Sequence, residues 1–125
     1  MKTLPRILLL DDDDGIALLC LRMLQGTQLS MITSGTVAQA LWLMSVQPFD
    51  LAICDIGLPD GDGLDFLARF KALCPAAPAI VITASRDPEN ERLAAQLGVK
   101  HFLRKPFRME DFTSAVRESL PSGRP

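Results

Sequence analysis

The sequence has no tyrosine, only one histidine and only short apolar runs. Its net charge is −2, so it offers no general basic surface to a nucleic-acid backbone. Apolar runs such as residues 7–10 fall far short of the roughly 20 residues that span a bilayer. The first residues lead into an acidic cluster without a signal-peptide pattern. We therefore expect neither direct nucleic-acid binding nor a membrane segment, and we predict a cytoplasmic location.

Cysteine is also scarce. Cys20, Cys54 and Cys74 form no C-x-x-C pair, and an odd number of cysteines cannot all pair within one chain. Buried reduced thiols are favoured over a redox or metal-binding role. With His101 as the single histidine, a zinc site would need an unusual set of ligands. Any metal site should therefore use oxygen ligands.

Apolar and amphipathic segments alternate along the 125 residues, a length that suits one domain. The predicted strands are residues 6–10, 29–32, 51–54, 79–83 and 101–103. The first, third and fourth are apolar almost throughout, which is typical of strands buried on both faces. Five βα units predict an α/β fold, a doubly wound, flavodoxin-like (βα)5 three-layer sandwich with a five-stranded parallel sheet. We assign residues 1–120 to this domain and residues 121–125 to a linker stub or disordered tail.

Helices are predicted between and after these strands. Apolar residues recur at helical spacing in three sets, namely Ile16, Leu19, Met23 and Leu24, then Leu64, Leu67 and Phe70, then Phe112, Val116 and Leu120. The predicted helix ends are a capping box at Thr36 and Gln39, an N-cap at Asp87 before Pro88, and C-caps at Gly26 and Gly98.

Polar residues follow the predicted strands, at the edge where sheets of this kind bind ligands. Asp11 and Asp12 follow the first strand, Asp55 the third, Thr83 ends the fourth, and Lys105 follows the fifth. Carboxylates that converge to about 4–5 Å repel one another by about 3–4 kcal/mol per pair at an effective dielectric constant near 20. A cation relieves this repulsion, and Mg²⁺ suits a few carboxylates together with water and phosphate oxygens. The pattern predicts a magnesium site.

The complete set resembles the receiver domain of bacterial two-component response regulators. The third strand is followed by the run Asp55-Ile-Gly-Leu-Pro-Asp-Gly-Asp-Gly, and Lys105-Pro106 follows the fifth strand. The resemblance covers residues 6–120 and implies that Asp55 accepts a phosphoryl group from a sensor histidine kinase or a histidine phosphotransfer protein. It implies Mg²⁺ as cofactor, with Mn²⁺ as the alternative. It also implies a signalling phosphoacceptor in a phosphorelay rather than an enzyme with turnover, limited to its own phosphorylation and slow dephosphorylation.

The resemblance also assigns the metal ligands. Asp12 and Asp55 would coordinate the metal directly, and Asp11 would act largely through water. The backbone carbonyl of Gly57 would be the remaining protein ligand.

Other residues would bind the phosphoryl group and transmit the signal. Thr83 and Lys105 would contact the phosphoryl oxygens, and the Lys105–Pro106 bond would be cis. Phe102 stands at the family's switch-aromatic position, where tyrosine is also common. The resemblance further implies a partner or homodimer interface on the face formed by the fourth helix, fifth strand and fifth helix. The sequence leaves open whether the domain acts alone or serves an output domain beyond residue 125.

Two other functions remain open on the sequence. A phosphatase of the haloacid dehalogenase type would use Asp12 as nucleophile, because the run from Asp12 to Gly15 resembles its Asp-x-Asp-Gly motif. That alternative leaves Asp55 without a role, and no acidic pair follows Lys105. A pseudo-receiver, an interaction module without phosphorylation, is disfavoured by the complete set of site residues.

Several acidic residues have simpler roles. Asp13 and Asp14 suit a helix start, where carboxylates are favourable. Asp60 and Asp62 are interpreted as turn and cap residues rather than metal ligands.

Overall fold

The computed structural model describes residues 4–120. Its strands are β1 (Arg6–Leu10), β2 (Ser30–Ser34), β3 (Leu51–Asp55), β4 (Gly57–Leu58), β5 (Gly61–Asp62), β6 (Ala79–Thr83) and β7 (His101–Arg104). Its helices are α1 (Asp14–Met23), α2 (Val37–Val46), α3 (Gly63–Leu73), α4 (Pro88–Gln96) and α5 (Met109–Ser119). No helix within residues 4–120 is long and apolar enough to cross a membrane. The tail predicted at 121–125 lies outside the described residues.

The main sheet has the strand order β2-β1-β3-β6-β7, and every neighbouring pair is parallel. The chain moves from β1 to the edge strand β2, returns past β1 to β3, and continues to the other edge at β7. The carboxyl ends of β1 and β3 therefore lie side by side where the strand order reverses, the usual position of ligand sites in such sheets. The predicted doubly wound fold is confirmed.

Alternate side chains of the central strands point to opposite faces of the sheet, and helices cover both faces. The first core lies against α2, α3 and α4, and its strand residues include Leu8, Leu10, Ala52, Cys54 and Val81. The second core lies against α1 and α5, and its strand residues include Ile7, Leu9, Ile53, Ile80 and Ile82. Because each of these residues belongs to one core or the other, the central strands are apolar almost throughout.

Two local predictions are displaced by one or two residues. The edge strand β2 spans Ser30–Ser34 rather than residues 29–32, since its polar end pairs with the end of β1. In α1, Leu19 was expected on the apolar face but is 40 % exposed, whereas Cys20 is fully buried. The helix buries a narrower stripe than the predicted set of apolar residues.

The helix ends largely follow the predicted signals. Asp87 is the N-cap of α4, and Gly26 and Gly98 have φ of +87° and +86°, a conformation that favours glycine after a helix. The Thr36 hydroxyl accepts a hydrogen bond from the Gln39 N–H at 3.1 Å. The Gln39 side chain, however, accepts a hydrogen bond from a serine hydroxyl of β2. The capping-box prediction is therefore half right.

Candidate functional site

Three carboxylates meet at the carboxyl edge of β1 and β3. Asp11 and Asp12 follow β1, and Asp55 is the last residue of β3, which pairs with β1. One oxygen from each of the three carboxylates lies within 4.8 Å of the others. Asp13 and Asp14 instead begin α1, with Asp13 as the N-cap, as predicted. The fold therefore brings together the acidic residues that the sequence analysis assigns to a metal.

The three carboxylates differ in their surroundings. Asp12 is exposed, Asp55 is nearly buried, and the side chain of Asp11 has no exposed surface. Burial raises the pKa of Asp11 above its usual value, although the Asp13 N–H, 2.9 Å from Asp11 Oδ1, and the charge of Lys105 oppose the shift. The fold thus holds a carboxyl group where its ionised form is disfavoured.

Lys105 is the positive charge nearest to this cluster. Its Nζ lies 2.9 Å from Asp11 Oδ2 and 3.1 Å from Asp55 Oδ2. The contact with Asp55 has hydrogen-bond geometry, whereas the contact with Asp11 does not and is an ion pair only. Partial burial lowers the pKa of Lys105, but the two carboxylates outweigh this effect and raise the pKa above its usual value. One ammonium group therefore balances only part of the charge of three carboxylates.

The donor atoms fit a small, hard cation. Asp11 Oδ2 is buried and has no hydrogen-bond partner in the part of the chain that the structure describes. Lys105 compensates the charge of this oxygen only in part, because the same ammonium group also contacts Asp55, and a buried polar atom without a hydrogen bond is unfavourable. A few carboxylates, one of them open to water, are a donor set that suits Mg²⁺ and Mn²⁺.

The cysteines do not offer competing ligands. All three are free thiols, with Cys20 and Cys54 buried and Cys74 half-buried. Burial raises the pKa of Cys20 to about 12 and the pKa of Cys54 well above its usual value. Both buried groups are therefore neutral thiols at ordinary pH, whereas metal ligation requires the thiolate.

Thr83 reaches the same edge of the sheet. It ends β6, the strand next to β3, and is buried. Its Oγ1 accepts a hydrogen bond from the Ser85 N–H at 3.0 Å, and an accepted bond does not use the hydroxyl proton. The Lys105 N–H donates to the Thr83 carbonyl oxygen at 2.8 Å, and the Lys105–Pro106 bond is cis, as the resemblance implies.

The chain after Asp55 turns through the hairpin of β4 and β5. The Gly57 N–H donates to Asp55 Oδ1 at 3.3 Å. Asp62 caps α3, and Asp60 accepts hydrogen bonds from two N–H groups at the start of α2. Both residues act as turn and cap residues, as predicted. The helix that Asp60 caps, however, is α2, whose first residue lies 23 positions earlier in the sequence.

Gly63 is a residue whose role the sequence analysis missed. A Cβ atom at Gly63 would lie 2.0 Å from the Asp55 carbonyl oxygen and 2.8 Å from Cys54 Sγ. Only glycine therefore lets α3 start directly behind the end of β3. The signal was the second glycine of the Gly-Asp-Gly run, to which the sequence analysis assigned no role.

Phe102 lies at the other edge of the sheet, in β7. It is half-buried and packs against the core under α2, α3 and α4. The guanidinium carbon of Arg104 lies 5.2 Å from the centre of its ring, and Arg104 forms an ion pair with Glu91 of α4 at 3.2 Å. The ring is thus held between the core and a charged pair on the surface.

Comparisons with known proteins identify the family of this chain. A family model described as "Response regulator receiver domain" matches residues 7–117, so the chain belongs to this family. The transcriptional regulatory protein KdpE of Mycobacterium tuberculosis is 34 % identical over 117 residues, which cover 91 % of this chain and 50 % of KdpE. ZraR of Escherichia coli is 30 % identical over 114 residues, which cover 91 % of this chain and 26 % of ZraR. A solved receiver domain protein (CheY-like) from Methanospirillum hungatei is 28 % identical, with a TM-score of 0.87 and 93 % of each chain covered.

The protein is therefore a receiver domain of the two-component response-regulator family. The chain spans about half the length of KdpE and about a quarter of the length of ZraR. These relatives give no support to the haloacid dehalogenase-type alternative with Asp12 as nucleophile. The geometry also disfavours that alternative, because Lys105 contacts Asp55 and Asp11.

Proposed function

We propose that Asp55 accepts a phosphoryl group and that Mg²⁺, with Mn²⁺ as the alternative ion, is the cofactor. The observation that carries the proposal is the convergence of Asp11, Asp12, Asp55 and Lys105 at one edge of the sheet. In this proposal Asp12, Asp55 and the Gly57 carbonyl hold the ion directly, and Asp11 acts largely through water. When bound, the ion screens the carboxylates and polarises phosphoryl oxygens.

The transfer itself is a nucleophilic displacement. A carboxylate oxygen of Asp55 attacks the phosphorus atom, the bond from phosphorus to the donor atom breaks, and the donor atom keeps the electron pair. The donor is a phosphohistidine of a sensor kinase or a histidine phosphotransfer protein. Lys105 already contacts Asp55 and binds an oxygen of the new phosphoryl group. The Thr83 hydroxyl donates a hydrogen bond to another oxygen of the same group. Because the domain itself is modified, it resets by slow hydrolysis rather than turning over a substrate.

The signal leaves the site through Thr83 and Phe102. Movement of Thr83 towards the phosphoryl group opens space beside β7, and the ring of Phe102 turns into it. This rotation changes the face formed by α4, β7 and α5, which we propose as the surface for a partner or a second copy of the domain. One or two charge-assisted hydrogen bonds, each worth about 1.5–3 kcal/mol, are enough to shift such a two-state population.

The longer relatives support further parts of this proposal. They extend well beyond the region matched here, so an output domain beyond residue 125 is expected to use the signal. The free thiols suit a reducing compartment, and we propose that the domain acts in the cytoplasm.

Phosphorylation can be tested by intact-mass measurement after incubation with Mg²⁺ and acetyl phosphate. We expect the wild type to gain one phosphoryl group and Asp55→Asn to gain none. Asp65→Asn, which changes an exposed carboxylate in the first turn of α3, is the matched control and should be labelled like the wild type. Equal labelling of Asp55→Asn would show that another residue is the acceptor.

The switch is tested on the same proteins by amide chemical shifts with Mg²⁺ and beryllofluoride, an acyl-phosphate mimic. Changes should extend from Asp55 through Thr83 to Phe102 and α4, and Thr83→Ala should confine them to the site. Changes that stay local in the wild type would rule out this route.

A further inference from the structure

The hairpin of β4 and β5 is fastened to the start of α2. The two carboxylate oxygens of Asp60 accept one hydrogen bond each, from the Val37 N–H at 2.8 Å and the Ala38 N–H at 3.0 Å. These N–H groups have no partner within their own helix, because they belong to its first turn. The two bonds hold the pKa of Asp60 below its usual value, so the carboxylate stays ionised.

A second contact between the hairpin and α2 is independent of charge. A Cβ atom at Gly61 would lie 3.3 Å from Cγ2 of Val37, a distance tighter than most such contacts. The backbone of the hairpin therefore packs directly against the first residue of α2. The contact with the Val37 side chain and the two hydrogen bonds of Asp60 therefore hold the hairpin against the start of α2.

The loop before α2 contacts the acidic residues on the opposite side of the site. The Asp11 N–H donates to the Ser34 carbonyl oxygen at 2.9 Å. A Cβ atom at Gly35 would lie 3.7 Å from the Asp12 Cα, which is ordinary van der Waals contact. The start of α2 and the loop before it thus connect the segment that carries Asp11 and Asp12 with the hairpin that begins at Gly57.

We infer that Asp60 is a positioning residue: by fastening the hairpin to α2, it holds the Gly57 carbonyl in register with Asp11 and Asp12 at the metal site. The inference rests on the proposed function, in which Gly57 is a ligand. With both bonds present, the hairpin is ordered before an ion arrives. Without them, the free-energy cost of ordering the hairpin is added to metal binding, and the affinity for the ion falls.

The test measures Mg²⁺ affinity by calorimetric titration and by the shift of the melting temperature, neither of which requires phosphorylation. Asp60→Ala removes both acceptors, and Asp60→Asn keeps one oxygen. We expect the dissociation constant for Mg²⁺ to rise about tenfold in Asp60→Ala, the lower end of the loss when a group that orients metal ligands is removed. Asp60→Asn should lie between Asp60→Ala and the wild type.

Thr36→Ala is the matched control, because it removes the other side-chain cap of α2 without touching the hairpin. It should lower thermal stability but leave the Mg²⁺ dissociation constant unchanged. Equal dissociation constants in Asp60→Ala and the wild type would overturn the inference. So would an equal loss of affinity in Thr36→Ala, since that would reduce the role of Asp60 to helix capping.

Measurements at high salt separate the effect of the Asp60 charge from the effect of its two hydrogen bonds. Surface charges are screened within about 3 Å in 1 M salt, so a loss of affinity caused by missing bonds should persist there. Losses that are equal in Asp60→Asn and Asp60→Ala and vanish in 1 M salt would overturn the inference in favour of a charge effect. A wild type that binds Mg²⁺ and is phosphorylated while Asp60→Ala is unaffected refutes only this inference. A wild type that does neither refutes the proposed function as well.

Discussion

Carboxylates occur in two kinds of surroundings in this domain. At the sheet edge, burial raises the pKa of Asp11, and Asp11 and Asp55 share one lysine. On the surface, the pKa of Asp60 is lowered by the N–H groups at the start of α2, and that of Glu89 is lowered by Arg92. Asp60 and Glu89 each have partners of their own, whereas Asp11 and Asp55 share one ammonium group. Asp60 and Glu89 therefore serve the fold, whereas Asp11 and Asp55 belong to the site that we propose for an ion and a phosphoryl group.

The largest effect should come from filling the space behind Asp55. Gly63→Ala places a methyl group against the Asp55 carbonyl oxygen and Cys54 Sγ. We expect the free energy of unfolding to fall by about 3 kcal/mol, because overpacking forces the backbone of β3 or α3 to shift. Urea denaturation measures the loss.

Gly57→Ala is the control for this change, because a Cβ atom at Gly57 would meet no atom within 4 Å. It should change stability by less than about 1 kcal/mol. A similar loss in the two variants would show that the region behind Asp55 is no more tightly packed than the open hairpin.

A smaller effect is expected from metal. Mg²⁺ at a hundredfold excess over its dissociation constant should stabilise the wild type by about 2.7 kcal/mol, because it binds the folded state. Asp12→Ala should lose this response, and without metal it should be at least as stable as the wild type, since one repelling charge is gone. Thermal melts with EDTA or Mg²⁺ measure both changes.

The surface carboxylate Glu89 is the control for the metal response. Glu89→Ala should keep the full Mg²⁺ response, since its carboxylate pairs with Arg92 in α4. If Mg²⁺ raises the melting temperature of Asp12→Ala and the wild type equally, Asp12 is not a ligand.

The smallest effect should be a difference in pH dependence, measured in EDTA between about pH 3 and 6, where Asp side chains titrate. The ordinary pKa of an Asp side chain is 3.8. Because the pKa of Asp11 is raised in the folded state, its contribution to the free energy of unfolding is present below pH 3.8 and is lost as the pH rises. Because the pKa of Asp60 is lowered in the folded state, its contribution is present above pH 3.8 and is lost as the pH falls. Asp11→Asn should therefore gain stability relative to the wild type with rising pH, and Asp60→Asn should lose it. Slopes of the same sign for both variants would contradict the comparison.

The sequence predicts those parts of the domain that depend on neighbouring residues. Strands β1, β3 and β6 were located to within one residue, because burial on both faces leaves a continuous apolar run. The polar end of β2 was missed, since an edge strand is only half-buried and lacks that run. The convergence of Asp11, Asp12 and Asp55 was predictable once the strand order was known.

Two contacts between distant segments were not predictable, because they do not follow from the positions of the strand ends. The bond between Asp60 and Val37 joins residues 23 positions apart, and no local pattern distinguishes it from an ordinary turn. The requirement for glycine at Gly63 likewise arises from the approach of α3 to the end of β3.

The division of the interior into two cores has a consequence for sequence divergence. A central strand gives alternate side chains to each core, so substitutions on one face of the sheet have few direct contacts with substitutions on the other. The free-energy effects of well-separated substitutions usually add. Substitutions in one core should then have little effect on the packing of the other, while the backbone and the residues at the strand ends stay in place. A solved receiver domain that is 28 % identical superimposes with a TM-score of 0.87, so the fold persists through wide changes in sequence.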